Sequence, residues 1–137
     1  MGKAEFIVID DDPINNIICQ KLIELALPGS RVITFTDVRP ALSKLAESVA
    51  SPSQKSILFL DINMPECTGW DVLEQIEHSL GAQIHTIDIY LLTTSLDRED
   101  MHLAKNHRLI AGFVSKPLTR ARLQALFPAI ETINPLN

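Results

Sequence analysis

Three consecutive carboxylates, Asp10-Asp11-Asp12, follow directly on the apolar run Phe6-Ile7-Val8-Ile9. A further aspartate, Asp61, follows directly on Ile57-Leu58-Phe59-Leu60. Thr93 closes another apolar segment, and Lys116 follows a last one. Carboxylates brought together repel one another and raise one another's pKa values. A divalent cation relieves that repulsion, and Mg²⁺ suits such a site because it takes carboxylate oxygens and keeps several waters. Lysine adds a point positive charge for an anionic group, and threonine adds a hydroxyl donor. Carboxylates, a hard cation, a lysine and a hydroxyl describe a phosphoryl site, where in-line positioning and neutralisation of the equatorial oxygens are the main demands. An aspartate can itself be the nucleophile and form an acyl phosphate. Neither GxxxxGK[ST] nor GxGxxG occurs in the chain, so the donor is not expected to be ATP held in a pocket of its own.

These residues are far apart in sequence, so the fold has to gather them. The hydrophobic pattern alternates between two kinds of segment. Phe6 to Ile9 and Ile57 to Leu60 are short continuous apolar runs, as expected of parallel strands covered on both faces, and Arg31 to Phe35, Ile87 to Leu92 and Gly112 to Val114 also read as strands. Between them lie helical patterns. Ile14, Ile17, Ile18, Leu22 and Leu25 recur at helical spacing, with Asp12 or Asp11 as N-cap, Pro13 in the first turn and Pro28-Gly29 as the stop. Asp37 caps a second helix running to about Ala50, and a third runs from about Trp70 to Leu80. Asp97 caps a fourth to about His107, and Thr119 caps a fifth with Leu123, Leu126, Phe127 and Ile130 on one face. Pro128 predicts a break near Phe127, with the remainder as a separate turn or tail.

Alternation of this kind predicts an α/β fold, a doubly wound parallel (βα)5 sheet of the flavodoxin-like type with strand order 2-1-3-4-5. In such a sheet the carboxyl ends of the strands line one edge, where ligands bind. The strand-end residues Asp10, Asp61, Thr93 and Lys116 are therefore predicted to converge there.

Composition sets the bounds. The chain has 137 residues, with 12 Lys+Arg against 17 Asp+Glu and a formal charge of −5. The length suits one domain that folds without a disulfide or metal staple. We read it as a single domain over 1–137, with a core of about 4–127 and a tail of about 128–137. The acidic balance argues against a nucleic-acid partner. No apolar run approaches the roughly 20 residues of a membrane span, and no signal peptide is evident, so the expected location is cytoplasmic. Cys19 and Cys67 form no CxxC and are too few for a disulfide framework. Cys19 reads as a packed small apolar residue and Cys67 as partly exposed. His78, His85, His102 and His107 show no ligand spacing.

At this point the motifs match a family. The chain resembles the receiver domain of bacterial two-component response regulators over essentially its whole length. The resemblance rests on Phe6-Ile-Val-Ile-Asp-Asp-Asp-Pro13, Leu60-Asp-Ile-Asn-Met-Pro65 with Gly69, Leu91-Leu-Thr-Thr94 and Phe113-Val-Ser-Lys-Pro117, in order and each at a strand end. It implies a single-domain, phosphorylation-switched signalling protein. Such a protein is not an enzyme in the usual sense, although it catalyses its own phosphorylation and dephosphorylation. Asp61 would accept a phosphoryl group from a phosphohistidine on a sensor histidine kinase or phosphotransfer protein. Asp11 and Asp61 would bind Mg²⁺ through their carboxylates and Asn63 through its backbone carbonyl, with Asp10 acting through water or in the outer shell. Lys116 would hold one phosphoryl oxygen, and Thr93 would turn inward to hydrogen-bond another. Phe113 matches the aromatic switch position, with plain core packing as its rival reading. Asn63 and Ser95 would tune the lifetime of the acyl phosphate. The Lys116-Pro117 bond is commonly cis in the family.

The family places its acidic pair directly after the apolar run, so Asp10 and Asp11 are taken as that pair and Asp12 as a helix-start residue. No output domain is apparent after Ile133, so the expected output is protein binding through the last two helices and the fifth strand, or onward phosphotransfer. Two rival readings share this fold class. A phosphorylation-independent binding module on this fold need not keep Asp11, Asp61, Thr93 and Lys116 together. An aspartate-nucleophile phosphohydrolase usually wants an acid/base aspartate where Asn63 stands.

Overall fold

The computed structural model describes residues 4–50, 55–65, 67–94 and 98–128. Among these residues five strands alternate with five α-helices: β1 (Ala4–Ile9), α1 (Pro13–Ala26), β2 (Arg31–Phe35), α2 (Val38–Ala50), β3 (Lys55–Asp61), α3 (Gly69–Leu80), β4 (Ile87–Thr93), α4 (Arg98–Asn106), β5 (Ile110–Ser115) and α5 (Arg120–Leu126). The sheet is parallel, in the order β2-β1-β3-β4-β5. This is the expected doubly wound α/β fold.

The apolar strands divide their side chains between two cores. Ile7 and Ile9 of β1 and Leu58 and Leu60 of β3 pack on the face covered by α2, α3 and α4. Phe6, Val8, Ile57 and Phe59 pack on the opposite face against α1 and α5. Period-2 alternation thus persists inside runs that contain no polar residue, because both faces are buried. Truncating a side chain as enclosed as Leu58 or Phe59 costs roughly 2–5 kcal/mol.

Several boundaries differ from the sequence reading. β5 extends from Ile110 to Ser115 and α3 starts at Gly69, one residue before Trp70. Thr68 and Asp71 close a capping box there: the Thr68 hydroxyl accepts from Asp71 N–H, and the Asp71 carboxylate accepts from Thr68 N–H. A 3-10 turn at Gly81–Thr86, absent from the sequence reading, leads into β4. Asp12 supplies the α1 cap, accepting from Ile14 N–H at 3.0 Å. Asp37 accepts from Arg39 N–H and Thr119 from Arg122 N–H at the starts of α2 and α5. α5 stops at Leu126, and Phe127 is buried against Phe6, Phe59 and Tyr90. Pro128, which has no N–H to continue the helix, follows. Asp97, Ile130 and the expected tail beyond 128 lie outside the described residues.

α1 is rotated relative to its apolar pattern. Its buried residues are Asn16, Cys19, Ile23 and Ala26. Ile14, Ile17, Ile18 and Leu25 face outward, between 47% (Ile18) and 67% (Ile14) exposed.

Candidate phosphoryl site

Strand register gathers the site. Ile9 pairs with Leu60, so Asp10 and Asp61 are adjacent at the ends of β1 and β3. Asp61 pairs with Leu92, placing Thr93 one residue further along β4. Thr93 pairs with Ser115, and Lys116 comes next. The Lys116 N–H donates to the Thr93 carbonyl at 2.7 Å, which fixes the backbone from which the lysine side chain reaches back across β4 and β3. The Lys116-Pro117 bond is cis.

The lysine ammonium lies 2.8 Å from Asp10 Oδ2 and 3.3 Å from Asp61 Oδ1. Carboxylate oxygens of Asp10, Asp11 and Asp61 all lie within 4.8 Å of one another. Asp10 and Asp61 are buried, whereas Asp11 is exposed and opens the site to solvent. Beside it is a cleft of about 470 Å³ lined by Asp11, Thr36, Asp37, Val38, Met64, Pro65 and the half-buried Cys67.

The two buried carboxylates are pushed in opposite directions. Burial is the largest influence on each and favours the neutral acid. At Asp61 burial and the charge of Asp10 outweigh Lys116 and the Asn63 N–H, and the pKa is raised. At Asp10 burial is overcome by hydrogen bonds from Lys116, Asp12 N–H and Asn15 and by the lysine's charge, and the pKa is lowered. Burial also acts to lower the pKa of Lys116, but its contact with Asp10 and the charges of both aspartates prevail and raise it. The lysine is therefore held charged. Burial, with Asp10 nearby, pushes the Cys19 thiol up to about 11, which makes it a poor nucleophile.

The donor set fits a divalent cation of the hard, oxygen-loving kind. Three carboxylates face one ammonium, an excess of two negative charges. The exposed position of Asp11 would leave room for the waters that such an ion keeps.

The remaining sequence-derived residues take these places. Thr93 is buried at the end of β4. Asn63 is exposed, and its N–H donates to Asp61 Oδ1 at 3.1 Å. Phe113 is half-buried and packs on the α2/α3/α4 core. Ser95 lies outside the described residues. Two asparagines went unread in the sequence. Asn15 Nδ2 donates to Asp10 Oδ2 at 2.5 Å. Buried Asn16 donates to the backbone carbonyls of Asp10 and Phe35, tying the ends of β1 and β2 together. Helical spacing gave no signal for them, because the apolar stripe of α1 lies on the opposite, exposed side.

The response regulator receiver domain family matches residues 6–127. The chain belongs to this family. The fold agrees: a two-component response regulator from Cytophaga hutchinsonii superposes with a TM-score of 0.80 at 29% identity, over 93% of this chain and 96% of that one. Chemotaxis protein CheY4 of Vibrio cholerae gives 0.74 at 22% identity, over 94% and 99%. Among curated proteins, this receiver domain is 29% identical over 127 residues to hybrid signal transduction histidine kinase L of Dictyostelium discoideum. It is 24% identical over 125 residues to the osmosensing histidine protein kinase SLN1 of Saccharomyces cerevisiae. Those matches cover 92% and 90% of this chain but 7% and 10% of the two kinases, so the chain spans a small part of their length. Among the described residues, no helix is long and apolar enough to cross a membrane.

Proposed function

We propose that this receiver domain accepts a phosphoryl group on Asp61 from the phosphohistidine of a sensor histidine kinase or phosphotransfer protein, and that the new charge changes a protein-binding surface. The observation that carries this reading is the ammonium of Lys116 set 3.3 Å from Asp61 at a sheet edge shared with Asp10 and Asp11. The kinase relatives support a histidine-linked donor.

Asp11, Asp61 and the Asn63 carbonyl would hold Mg²⁺, with Asp10 acting through water or from the outer shell. The ion would supply positive charge to the phosphoryl oxygens during transfer. An Asp61 oxygen forms the new P–O bond while the P–N bond to the donor imidazole breaks; the donor ring, protonated on its other nitrogen, keeps the bonding pair and leaves as neutral imidazole. The raised pKa of Asp61 makes its carboxylate a better nucleophile than an exposed one. Lys116 takes one phosphoryl oxygen and the Thr93 hydroxyl another, and Asn63 with Ser95 flanks the path of the hydrolytic water.

Phosphorylation replaces one carboxylate charge with about two on the phosphoryl group. Thr93 and Phe113 relay the change to α4, β5 and α5. The two surface states need differ by only a few kcal/mol for phosphorylation to redistribute them. Met101 and Leu103, exposed apolar side chains on α4, make that face suited to a downstream protein. The donor protein approaches over the opposite side of the site, along the outward ridge of α1 that begins beside Asp11. We place the domain in the cytoplasm, as one unit with a core of about 4–127.

The test is incubation with Mg²⁺ and acetyl phosphate, read by intact mass. One phosphoryl group should be gained by the wild type and none by Asp61→Asn. No gain in the wild type, or equal gain in the variant, overturns the proposal.

A further inference from the structure

Asp10 is fully buried, and its oxygens have three donors. Oδ1 accepts from Asp12 N–H at 2.9 Å. Oδ2 accepts from two groups at once, the Lys116 ammonium at 2.8 Å and the Asn15 amide at 2.5 Å. One donor is charged and carried by a long, flexible side chain from β5. The other is neutral and carried by a short side chain on α1, anchored at its start by the Asp12 cap. From this shared oxygen we infer that Asn15 is a positioning residue for phosphoryl transfer: it holds Asp10 in place so that Lys116 is free to shift toward the phosphoryl group on Asp61.

A buried carboxylate stripped of its donors carries a large desolvation cost. Were Lys116 the sole donor to Oδ2, moving the ammonium toward a phosphoryl oxygen would leave that oxygen bare, and the lysine would be retained on Asp10. Asn15 removes most of this conflict. Oδ2 keeps a hydrogen bond throughout, and the carboxylate keeps its orientation between the Asp12 N–H and the Asn15 amide. Asn15 contributes no charge of its own, so it does not compete with Lys116 for the phosphoryl oxygens. Its amide is also 3.8 Å from the Cys19 sulfur, a contact too weak to draw it away from Asp10.

The inference rests on the phosphoacceptor reading, and the experiment separates the two. Wild type, Asn15→Ala, Lys116→Met and the double variant are compared in two measurements. The first is the rate of Mg²⁺-dependent phosphorylation by acetyl phosphate. Asn15→Ala should slow it by about tenfold, the order expected from losing one hydrogen bond to a charged group. Once Lys116 is absent the same substitution should have little further effect, because its role runs through the lysine. The second is urea denaturation without Mg²⁺. Here Asn15→Ala should destabilise more in the Lys116→Met background, where Asp10 loses both donors to Oδ2, than in the wild type. A merely structural asparagine gives additive effects in both measurements, and additivity overturns the inference. So does a wild-type phosphorylation rate in Asn15→Ala, a result that stands even where the double variant does not fold. If the wild type itself takes up no phosphoryl group, the phosphoacceptor reading falls first and this inference with it.

Discussion

Lys116 rests closer to Asp10 than to Asp61, at 2.8 Å against 3.3 Å. Burial and the charge of Asp10 disfavour the Asp61 anion, whereas hydrogen bonds from Lys116, Asp12 N–H and Asn15 overcome burial at Asp10 and stabilise its anion. Substitution by asparagine should therefore have opposite effects at the two positions. Without Mg²⁺ at neutral pH, Asp61→Asn should raise the melting temperature and Asp10→Asn should lower it.

The pH dependence follows the same division. Asp10 has a lowered folded pKa, so its stabilising contribution is complete above the ordinary carboxylate value and is lost as pH falls through the lower folded value. Asp61 has a raised folded pKa, so the fold gains from its protonation as pH falls through that value. In the wild type the two partly cancel in acid. Asp61→Asn should lose stability more steeply than wild type as pH falls from neutrality to the ordinary carboxylate value. Thermal melts across that range check it, and parallel curves would refute it.

Gly69 meets the segment around Asp61 without room to spare. A Cβ there would stand 2.8 Å from both the Asp61 carbonyl oxygen and Ile62 Cα, which are backbone atoms. The Gly69 N–H also donates to the Ile62 carbonyl at 2.8 Å. Gly69→Ala should cost about 1–3 kcal/mol through overpacking and slow acetyl-phosphate labelling, because the displaced segment carries Asp61. Gly112 is the control: its Cβ would meet only the Tyr90 ring, at 3.3 Å, which can tilt away. Urea denaturation of both alanine variants should show the larger loss at Gly69.

Asp10 and Asp61 were legible because the apolar runs Phe6–Ile9 and Ile57–Leu60 each stop abruptly on a carboxylate. The sheet order followed from regular alternation. α1 was harder to read. Its most apolar stripe, with Ile14, Ile17, Ile18 and Leu25, lies on the solvent side, while Asn15 and Asn16 serve the end of β1. Periodicity identifies a helix but assumes that apolar residues face the core. Here the polar demands of Asp10's carboxylate and of two strand-end carbonyls set the helix rotation. Nor did spacing reveal Glu5, a buried acid inside a strand.

Glu5 accepts from Lys44 at 3.0 Å and from the Ser48 hydroxyl at 2.9 Å, pinning α2 to β1. Lys44→Met leaves the buried carboxylate with the serine alone and should destabilise by roughly 3 kcal/mol. Adding Glu5→Leu should recover most of that loss, since an apolar pair suits a buried position as well as an ion pair does. A denaturation cycle over the four proteins measures the coupling.

Trp70, the chain's one tryptophan, donates its indole N–H to Asp100 on α4 at 3.0 Å and sits beside the His107 ring. It follows directly on Gly69, so it joins the segment after Asp61 to α4. Its emission should change when Mg²⁺ and acetyl phosphate are added. Asp11→Ala should shift the Mg²⁺ titration to higher concentration. An unchanged Mg²⁺ affinity in that variant would move the acidic pair to other residues.

The outward ridge of α1 permits transfer from a protein to be distinguished from transfer from a small molecule. On the proposed function, acetyl phosphate would need only the pocket of Asp11, Asp61 and Lys116. A protein donor must also be held while its phosphohistidine is lined up with Asp61. Ile14, Ile17 and Ile18 offer contiguous exposed apolar surface immediately after the acidic loop. Burying a side chain of this kind contributes about 1.5–3 kcal/mol, so one charged replacement weakens docking at least tenfold without touching a core contact. Ile17→Asp should therefore label normally with acetyl phosphate and show an unchanged melting temperature. It should receive phosphoryl groups at least tenfold more slowly from a phosphorylated histidine-kinase or phosphotransfer domain held below saturation. Met101→Asp on α4 should leave both transfers near the wild-type rate and weaken binding of a downstream target instead. Equal slowing of acetyl-phosphate and protein transfer in Ile17→Asp would show that the ridge shapes the pocket rather than the docking surface.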